Sequence, residues 1–372
     1  MSKQFSPQYE DEDIRKLLSK IIKYVTIPRY RDILYYFLLP HQVLRTVTAM
    51  DGRRHLILIE ALGEVNEAKL QELRDLYHAD FIELLNTPLG SEMLRRFSPE
   101  EVTGMEPQQY LVLMQQLIQQ VPEFRDVLTE MSRSGIPVIL PLSLYRSIAM
   151  SIATTLHRIY MNQHYRDKLR TVIDILSREG LIEPIYQVEI CYRKECRYVR
   201  ISVPAEPASK RNYVCPVCGT PILVFKVYAI DPLLSKLKID RGVDLPILIR
   251  EYLRFRSLGG LKVFGPCTHD KKSELDVVIP DKGVGIECKL YKSRVFTEHD
   301  AKSEAGKLEK ELMKYWEASL TEVILVTNLD DRSAELLEKE LKPRISRMKN
   351  GCTLKVVSGD VNKLISMLDA LI

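Results

Sequence analysis

The sequence predicts a multidomain chain of mixed α and α/β class: a mainly helical N-terminal region, a small β-rich cysteine module and a C-terminal α/β sandwich. Three observations carry that reading. Apolar residues recur at spacings of three and four over much of residues 10–180. Short β-prone segments, prolines and two close cysteine pairs occupy residues 186–228. From residue 240 onward the hydrophobic period alternates between helix-like and strand-like. A length of 372 residues suits two or three domains, each with its own core, and 45% hydrophobic with 28% charged residues is the composition of a folded globular protein.

The expected division is therefore 1–164, mainly helical and of unassigned role; 165–185, a connecting helix; 186–228, the cysteine module; and 240–372, the α/β domain. In the first region the periodicity predicts helices over 66–76, 107–120 and 142–160. A strand is expected over 55–61 (HLILIEA), after the turn signal Asp51-Gly52. Residues 165–183 form an amphipathic pattern closed by Gly180. The ending SREGLIEP resembles the last helix and wing entry of winged-helix domains, although helix, glycine cap and strand also end many other domains. In the last region the pattern predicts a helix at 244–257, strands near 261–265, 274–280 and 284–290, a helix at 301–319, a strand at 322–327, a helix at 332–342, a strand at 353–357 and a helix at 360–371.

Lys plus Arg total 54 against 50 for Asp plus Glu, a net charge of +4, so charge bears on function only region by region. The longest apolar stretch, 135–156, contains Arg146, Pro137 and Pro141, which leaves it short of the roughly 20 uninterrupted apolar residues of a membrane span. The N-terminus lacks the apolar stretch of a secretory signal, and seven cysteines with two close pairs suit a reduced compartment. The expectation is a cytoplasmic protein without membrane contact.

Cys191 and Cys196 are five apart, and Cys215 and Cys218 are three apart within CPVCG. Two such pairs supply four thiolates, the donor set of a closed tetrahedral Zn²⁺ site with ligand distances of about 2.3 Å. The second pair looks like a zinc-ribbon knuckle, while the first departs from the usual spacing. Four reduced core cysteines or an iron–sulfur cluster are the alternatives. Cys267, Cys288 and Cys352 remain as free thiols. Residues 191–226 hold seven basic side chains, among them Arg193, Lys194, Arg197 and Arg200, against two acidic ones, so the module stays basic even with four thiolates and one Zn²⁺ included. Tyr192, Tyr198 and Tyr213 are interleaved with those charges, as expected of a surface that neutralises phosphates and stacks bases. A solvated face of a protein–protein adapter is the competing reading.

Residues 273–290, SELDVVIPDKGVGIECKL, carry the densest chemical signal. Two β-prone runs flank Pro280-Asp281-Lys282-Gly283 and read as a hairpin. A two-residue loop sets Asp276 opposite Glu287 and Glu274 opposite Lys289, with Cβ atoms of opposed residues about 5 Å apart. Two carboxylates that close repel, and one is protonated unless a cation lies between them, so the pair predicts a divalent metal. A three-residue loop with a glycine bulge would instead put the two carboxylates on opposite faces.

An acidic residue on one strand followed by (Asp/Glu)-x-Lys on the next resembles the PD-(D/E)XK nuclease superfamily. Here Asp276 matches the first element and Glu287-Cys288-Lys289 the second. The resemblance covers about residues 240–372 and implies a restriction-endonuclease-like α/β sandwich and a metal-dependent endonuclease. It also implies catalytic Mg²⁺ held by Asp276, Glu287 and the backbone carbonyl of Cys288, with Lys289 acting on the attacking water and the phosphate. Asp281, in the turn, is read as a turn former. Glu251, on the preceding helix, is the candidate for the acidic residue which that superfamily often adds; an exposed helix carboxylate is the alternative. On the helix at 301–319, Ala301, Ala305, Leu308 and Leu312 form the buried face. The stripe Lys307, Lys310 and Lys314, with Glu304, Glu309 and Glu311 nearby, reads as a solvated face.

The expected function is phosphodiester hydrolysis, with DNA preferred because the superfamily is mostly DNA-directed, and with the zinc module aiding nucleic-acid binding. A protein partner or ligand for the N-terminal region, and a homodimer, are left open. The rival reading is a catalytically silent nucleic-acid-binding or regulatory protein with a vestigial nuclease fold.

Overall fold

The computed structural model describes residues 5–40, 45–48, 54–62, 163–191, 193, 196, 198–202, 213–239, 242–269, 273–348 and 352–372. The helices expected at 66–76, 107–120 and 142–160 lie outside them. In chain order the elements are β1 (Phe5–Pro7), α1 (Glu12–Val25), a 3-10 turn (Pro28–Ile33), α2 (Leu34–Leu38), β2 (Arg45–Thr48), β3 (Arg54–Ala61) and α3 (Gln163–Arg178). Next come β4 (Ile182–Ile190), β5 (Val199–Ser202), β6 (Leu223–Ile230), α4 (Pro232–Ile239), α5 (Asp244–Arg256), β7 (Cys267–His269), β8 (Ser273–Leu275) and β9 (Val277–Ile279). The chain ends with β10 (Val284–Lys289), α6 (Glu298–Glu317), β11 (Glu322–Thr327), α7 (Asp331–Met348), β12 (Thr353–Val357) and α8 (Val361–Asp369). Among the described residues no helix is long and apolar enough to cross a membrane.

The chain divides into two compact units, one of residues 1–56, 168–181 and 230–372, the other of 57–167 and 182–229. This differs from the linear division expected from the sequence, because the N-terminal residues pack onto the C-terminal α/β part. β1 pairs antiparallel with β7, and α1 packs on α5. Buried Arg250 donates to the carbonyls of Gln8 (3.2 Å), Tyr9 (3.2 Å) and Gly265 (2.6 Å), joining three chain segments through one guanidinium.

At the centre of the first unit is a four-stranded sheet in the order β12-β11-β10-β9, with β10 antiparallel to β9 and parallel to β11, and β11 parallel to β12. The runs VGIEC and EVILVT are nearly continuous in apolar residues, as strands covered on both faces require. α6 and α7 bury Ala305, Leu308, Leu312, Trp316, Leu337 and Leu341 against Val278, Val323, Leu325 and Leu354. α5 packs on β9 and β10, with α1 and α8 on α5. α6 begins in a capping box: Thr297 Oγ1 accepts from Asp300 N (3.2 Å) and Asp300 Oδ2 accepts from Thr297 N (2.9 Å). Its buried face holds Ala301, Ala305, Leu308 and Leu312, as the periodicity predicts.

Two expected strands take different forms. The run 274–280 is two strands broken at Asp276, with β8 in a separate sheet of order β1-β7-β8. Glu274 therefore lies opposite Thr268 and not opposite Lys289. Residues 261–265 form no strand beyond one isolated bridge, Phe264 to Val278; the strand comes later, at β7. Gly265 is the physical reason. Its φ of +137° is outside the strand range, and a Cβ there would lie 1.9 Å from Asp276 O, so the chain passes hard against Asp276 and then turns.

In the second unit the strands lie in the order β3-β6-β4-β5, with β3–β6 and β4–β5 antiparallel. α3 closes at Gly180 (φ +67°), where Leu181 N donates to Leu176 O at 2.8 Å, the glycine cap expected from the sequence.

Candidate functional site

The hairpin has the register of the two-residue loop: Val284 lies opposite Ile279, Gly285 opposite Val278 and Ile286 opposite Val277. Gly283 closes the turn at φ +66°, its N–H donating to Pro280 O at 3.0 Å. The ladder stops one position short of Asp276 and Glu287. There the Asp276 side chain takes over as acceptor, with Cys288 N donating to its Oδ2 at 2.8 Å.

Gly285, Glu287 and Lys289 alternate onto the sheet face that α6 covers. Glu287, 6% exposed, presents Oε2 to Tyr315 Oη at 2.7 Å and to Lys314 Nζ at 2.9 Å. Lys289 Nζ meets both carboxylate oxygens of Glu311, at 2.8 and 3.1 Å. The Tyr315 hydroxyl also accepts from Asp276 N at 3.0 Å and has Ile286 O within donor reach at 2.9 Å. One phenol thus ties the backbone of one acidic residue to the side chain of the other. Gly285 makes room for it, because a Cβ there would lie 2.2 Å from Tyr315 Cδ1.

Burial, followed by the charge of Glu287, pushes the Asp276 carboxyl up to about 8, against the opposing pull of the Cys288 N–H, Lys314 and Lys289. Lys289 moves up as well: burial opposes its charge, but the Glu311 hydrogen bond and the charges of Glu311, Glu287 and Glu304 outweigh it. Burial and the neighbouring Glu287 and Asp276 hold the Tyr315 hydroxyl well above its usual range, so it remains a donor. Among the described residues, no hydrogen bond reaches Asp276 Oδ1 or Glu287 Oε1. Those two oxygens are the hard donors that a divalent cation such as Mg²⁺ would use.

Glu251 does not join this group. Its Oε1 is held by Arg250 Nε at 2.7 Å and Arg254 Nη1 at 3.2 Å, an ion-pair role within α5, whose two arginines also meet Glu10 of the N-terminal segment. Asp281 is exposed in the turn. The solvated-face reading of the lysine stripe on α6 describes Lys307 and Lys310, whereas Lys314 turns inward to Glu287. Sequence reasoning missed Glu311, Lys314, Tyr315 and Gly285 as parts of this site. The available signal was the spacing of three and four that puts Glu311, Lys314 and Tyr315 on one helix face, together with an isolated glycine inside a strand.

The cysteine module belongs to the second unit. Sγ atoms of Cys191, Cys196, Cys215 and Cys218 all lie within 4.8 Å of one another, with 3.3 Å between Cys196 and Cys215 and 3.6 Å between Cys191 and Cys218. Sulfurs tetrahedrally arranged about one Zn²⁺ would be about 3.8 Å apart, so the four thiols could hold a metal ion. The knuckle is built by Gly219 (φ +69°), whose N–H donates to Cys215 O at 2.9 Å, and by Val217 N, which points at Cys215 Sγ at 3.4 Å. Burial pushes the Cys196 thiol up to about 12, while the Thr220 hydroxyl and backbone draw Cys218 down to about 6. Among the described residues this is the only group of three or more His, Cys, Asp or Glu ligand atoms gathered so closely.

No protein-family model matches this chain, and no curated protein and no solved structure matches it either.

Arg193 and Arg200 are exposed, while Lys194, Arg197 and Tyr192 lie outside the described residues. Tyr198 and Tyr213 pack against the cysteine cluster, and Tyr198 Oη donates to Glu189 Oε2 at 2.7 Å, so these two rings support the module from within.

Proposed function

We propose that the first unit is a Mg²⁺-dependent nuclease of the PD-(D/E)XK type, hydrolysing phosphodiester bonds with DNA as the preferred substrate. In the same reading the four cysteines bind a structural Zn²⁺, and their module aids nucleic-acid binding through Arg193 and Arg200. One observation carries it: Asp276 and Glu287 follow the end of one hairpin ladder and share Tyr315, with Lys289 two residues beyond Glu287, and among the described residues each carboxylate keeps one oxygen clear of hydrogen bonds.

Asp276, Glu287 and the Cys288 carbonyl would hold Mg²⁺, which would supply an acidified water and charge to offset the phosphate oxygens. The protein's own groups do the rest. Lys289, kept protonated by Glu311, holds a positive charge where negative charge builds on the phosphorus-bound oxygens. A protonated ammonium orients the water rather than deprotonating it, so orientation and charge stabilisation are its roles. Tyr315 fixes the spacing between Asp276 and Glu287, and Lys314 offsets the charge of Glu287 until a cation arrives.

The ion pairs Lys314–Glu287 and Lys289–Glu311 favour a second reading, in which the site is already charge-balanced and binds nucleic acid without cutting it. Incubation with single-stranded, duplex and branched DNA and with RNA, each with Mg²⁺ and with chelator, decides between them. Mg²⁺-dependent cleavage that is lost in Asp276→Asn supports the nuclease. Binding without cleavage of any substrate supports the silent domain and overturns it.

A further inference from the structure

Away from the hairpin, the first unit carries a basic face that the proposed chemistry does not use. α1 buries Ile14, Leu17, Leu18, Ile21, Ile22 and Val25 and turns Lys16, Lys20 and Lys23 outward, four and three residues apart on one stripe. The end of α3 adjoins that stripe. Lys23 Nζ lies 2.9 Å from Glu179 Oε2, Tyr24 Oη lies 2.5 Å from Glu179 Oε1, and Lys20 Nζ lies 3.5 Å from Glu179 O. The 3-10 turn completes the face, with the Arg29 guanidinium 4.5 Å from the Tyr30 ring centre and Arg178 beside the hydroxyls of Tyr30 and Tyr24.

Five cations, Lys16, Lys20, Lys23, Arg29 and Arg178, are thus exposed on these elements, with Lys20 and Lys23 at Glu179, in a chain whose whole formal charge is +4. The nearby acids offset these charges only in part. Asp32 is paired with Lys168 at 3.2 Å, Glu12 and Asp13 lie four and three residues before Lys16 on α1, and Asp174 lies one turn before Arg178 on α3. Helix ends explain part of the charge: α1 and α3 both terminate here, and Lys20 and Lys23 answer the α3 carboxyl terminus and Glu179. Lys16, Arg29 and Arg178 exceed that need, and among the described residues none of the three has a carboxylate within ion-pair range.

We infer that this face binds the phosphate backbone of a nucleic acid. Cations spaced along a helix stripe and an adjoining turn suit a repeating line of phosphates, and Arg29, exposed over the Tyr30 ring, keeps its donors available to phosphate oxygens. The inference rests on the reading that the first unit acts on nucleic acid, and it assigns that unit a binding surface independent of the cysteine module.

The test uses the full chain in chelator, with a fluorescent DNA duplex titrated at salt concentrations from low to physiological. Replacing Lys16, Lys20 and Arg29 together by Ala should weaken binding at least tenfold at low salt and flatten the log–log salt slope by about 2.7, three lost phosphate contacts at about 0.9 each. Exchanging the same three residues between Lys and Arg should restore most of the slope. An unchanged affinity and slope overturns the inference, as does tighter binding of the wild-type chain to phosphatidylserine vesicles or polyglutamate than to DNA. Cleavage in Mg²⁺, measured alongside, separates the two readings. Cleavage with an unchanged slope removes the basic face alone, and a lost slope in a chain that never cleaves removes the nuclease alone.

Discussion

Adding Mg²⁺ at neutral pH should displace a proton from Asp276, and the number released can be worked out from the site. Burial and the charge of Glu287 push this carboxyl from 3.8 up to about 8. Roughly 0.9 of a proton therefore occupies it at pH 7, about 0.5 at pH 8 and about 0.1 at pH 9. Calorimetric Mg²⁺ titrations in pairs of buffers with different ionisation heats read this release directly. Apparent affinity should gain about tenfold per pH unit below 8, because each unit removes a tenfold share of the competing proton. Asp276→Asn should bind Mg²⁺ weakly with no proton release, and Glu287→Gln, which removes the neighbouring charge, should lower the release at pH 7. In the absence of metal the same raised value has a stability consequence. The folded state binds the proton more tightly than the unfolded one, so the contribution is complete below about pH 4 and is lost as pH rises toward 8. At 1.36 kcal/mol per unit the window spans at most about 6 kcal/mol, and water reaching this partly exposed side chain reduces the expected loss to about 3 kcal/mol. A release below roughly 0.2 proton at pH 7 in a chain that demonstrably binds Mg²⁺, or the same release from Asp276→Asn, would refute the reasoning.

Three further outcomes are expected. Gly285→Ala forces a Cβ to 2.2 Å from Tyr315 Cδ1, so it should destabilise the first unit by about 1–3 kcal/mol and reduce Mg²⁺ affinity, read by thermal unfolding and calorimetry. Cys215→Ser should lower zinc content from about one ion per chain and lower the unfolding temperature, since structural zinc contributes folding free energy; a metal-free wild-type chain with four titratable thiols would contradict this. Lys238→Met removes the buried partner of Asp244, which lies 2.8 Å away, and should cost about 3–5 kcal/mol at pH 8. That loss should shrink at pH 5, because burial already raises Asp244 and a protonated acid needs no cation; a pH-independent loss would assign it to packing.

The sequence by itself determined the alternating α/β pattern of residues 240–372, the cysteine cluster and the hairpin, and it narrowed the hairpin register to two choices. Each of these is a local property: period, spacing and turn chemistry act over a few residues, and a two-residue loop leaves one way for Val278 to face Gly285. The tertiary structure alone decided what lies across the sheet from the hairpin. Glu311, Lys314 and Tyr315 are more than twenty residues from Glu287 along the chain, and a lysine stripe reads the same whether it faces water or a buried carboxylate. It also decided that Glu251 serves Arg250 and Arg254, that Asp276 breaks a strand, and that residues 1–56 complete the C-terminal unit. Each of these follows from close approach between distant segments, as where Gly265 presses on Asp276 O and Arg250 collects three carbonyls. Such contacts are set by how whole elements pack, and no local period encodes them.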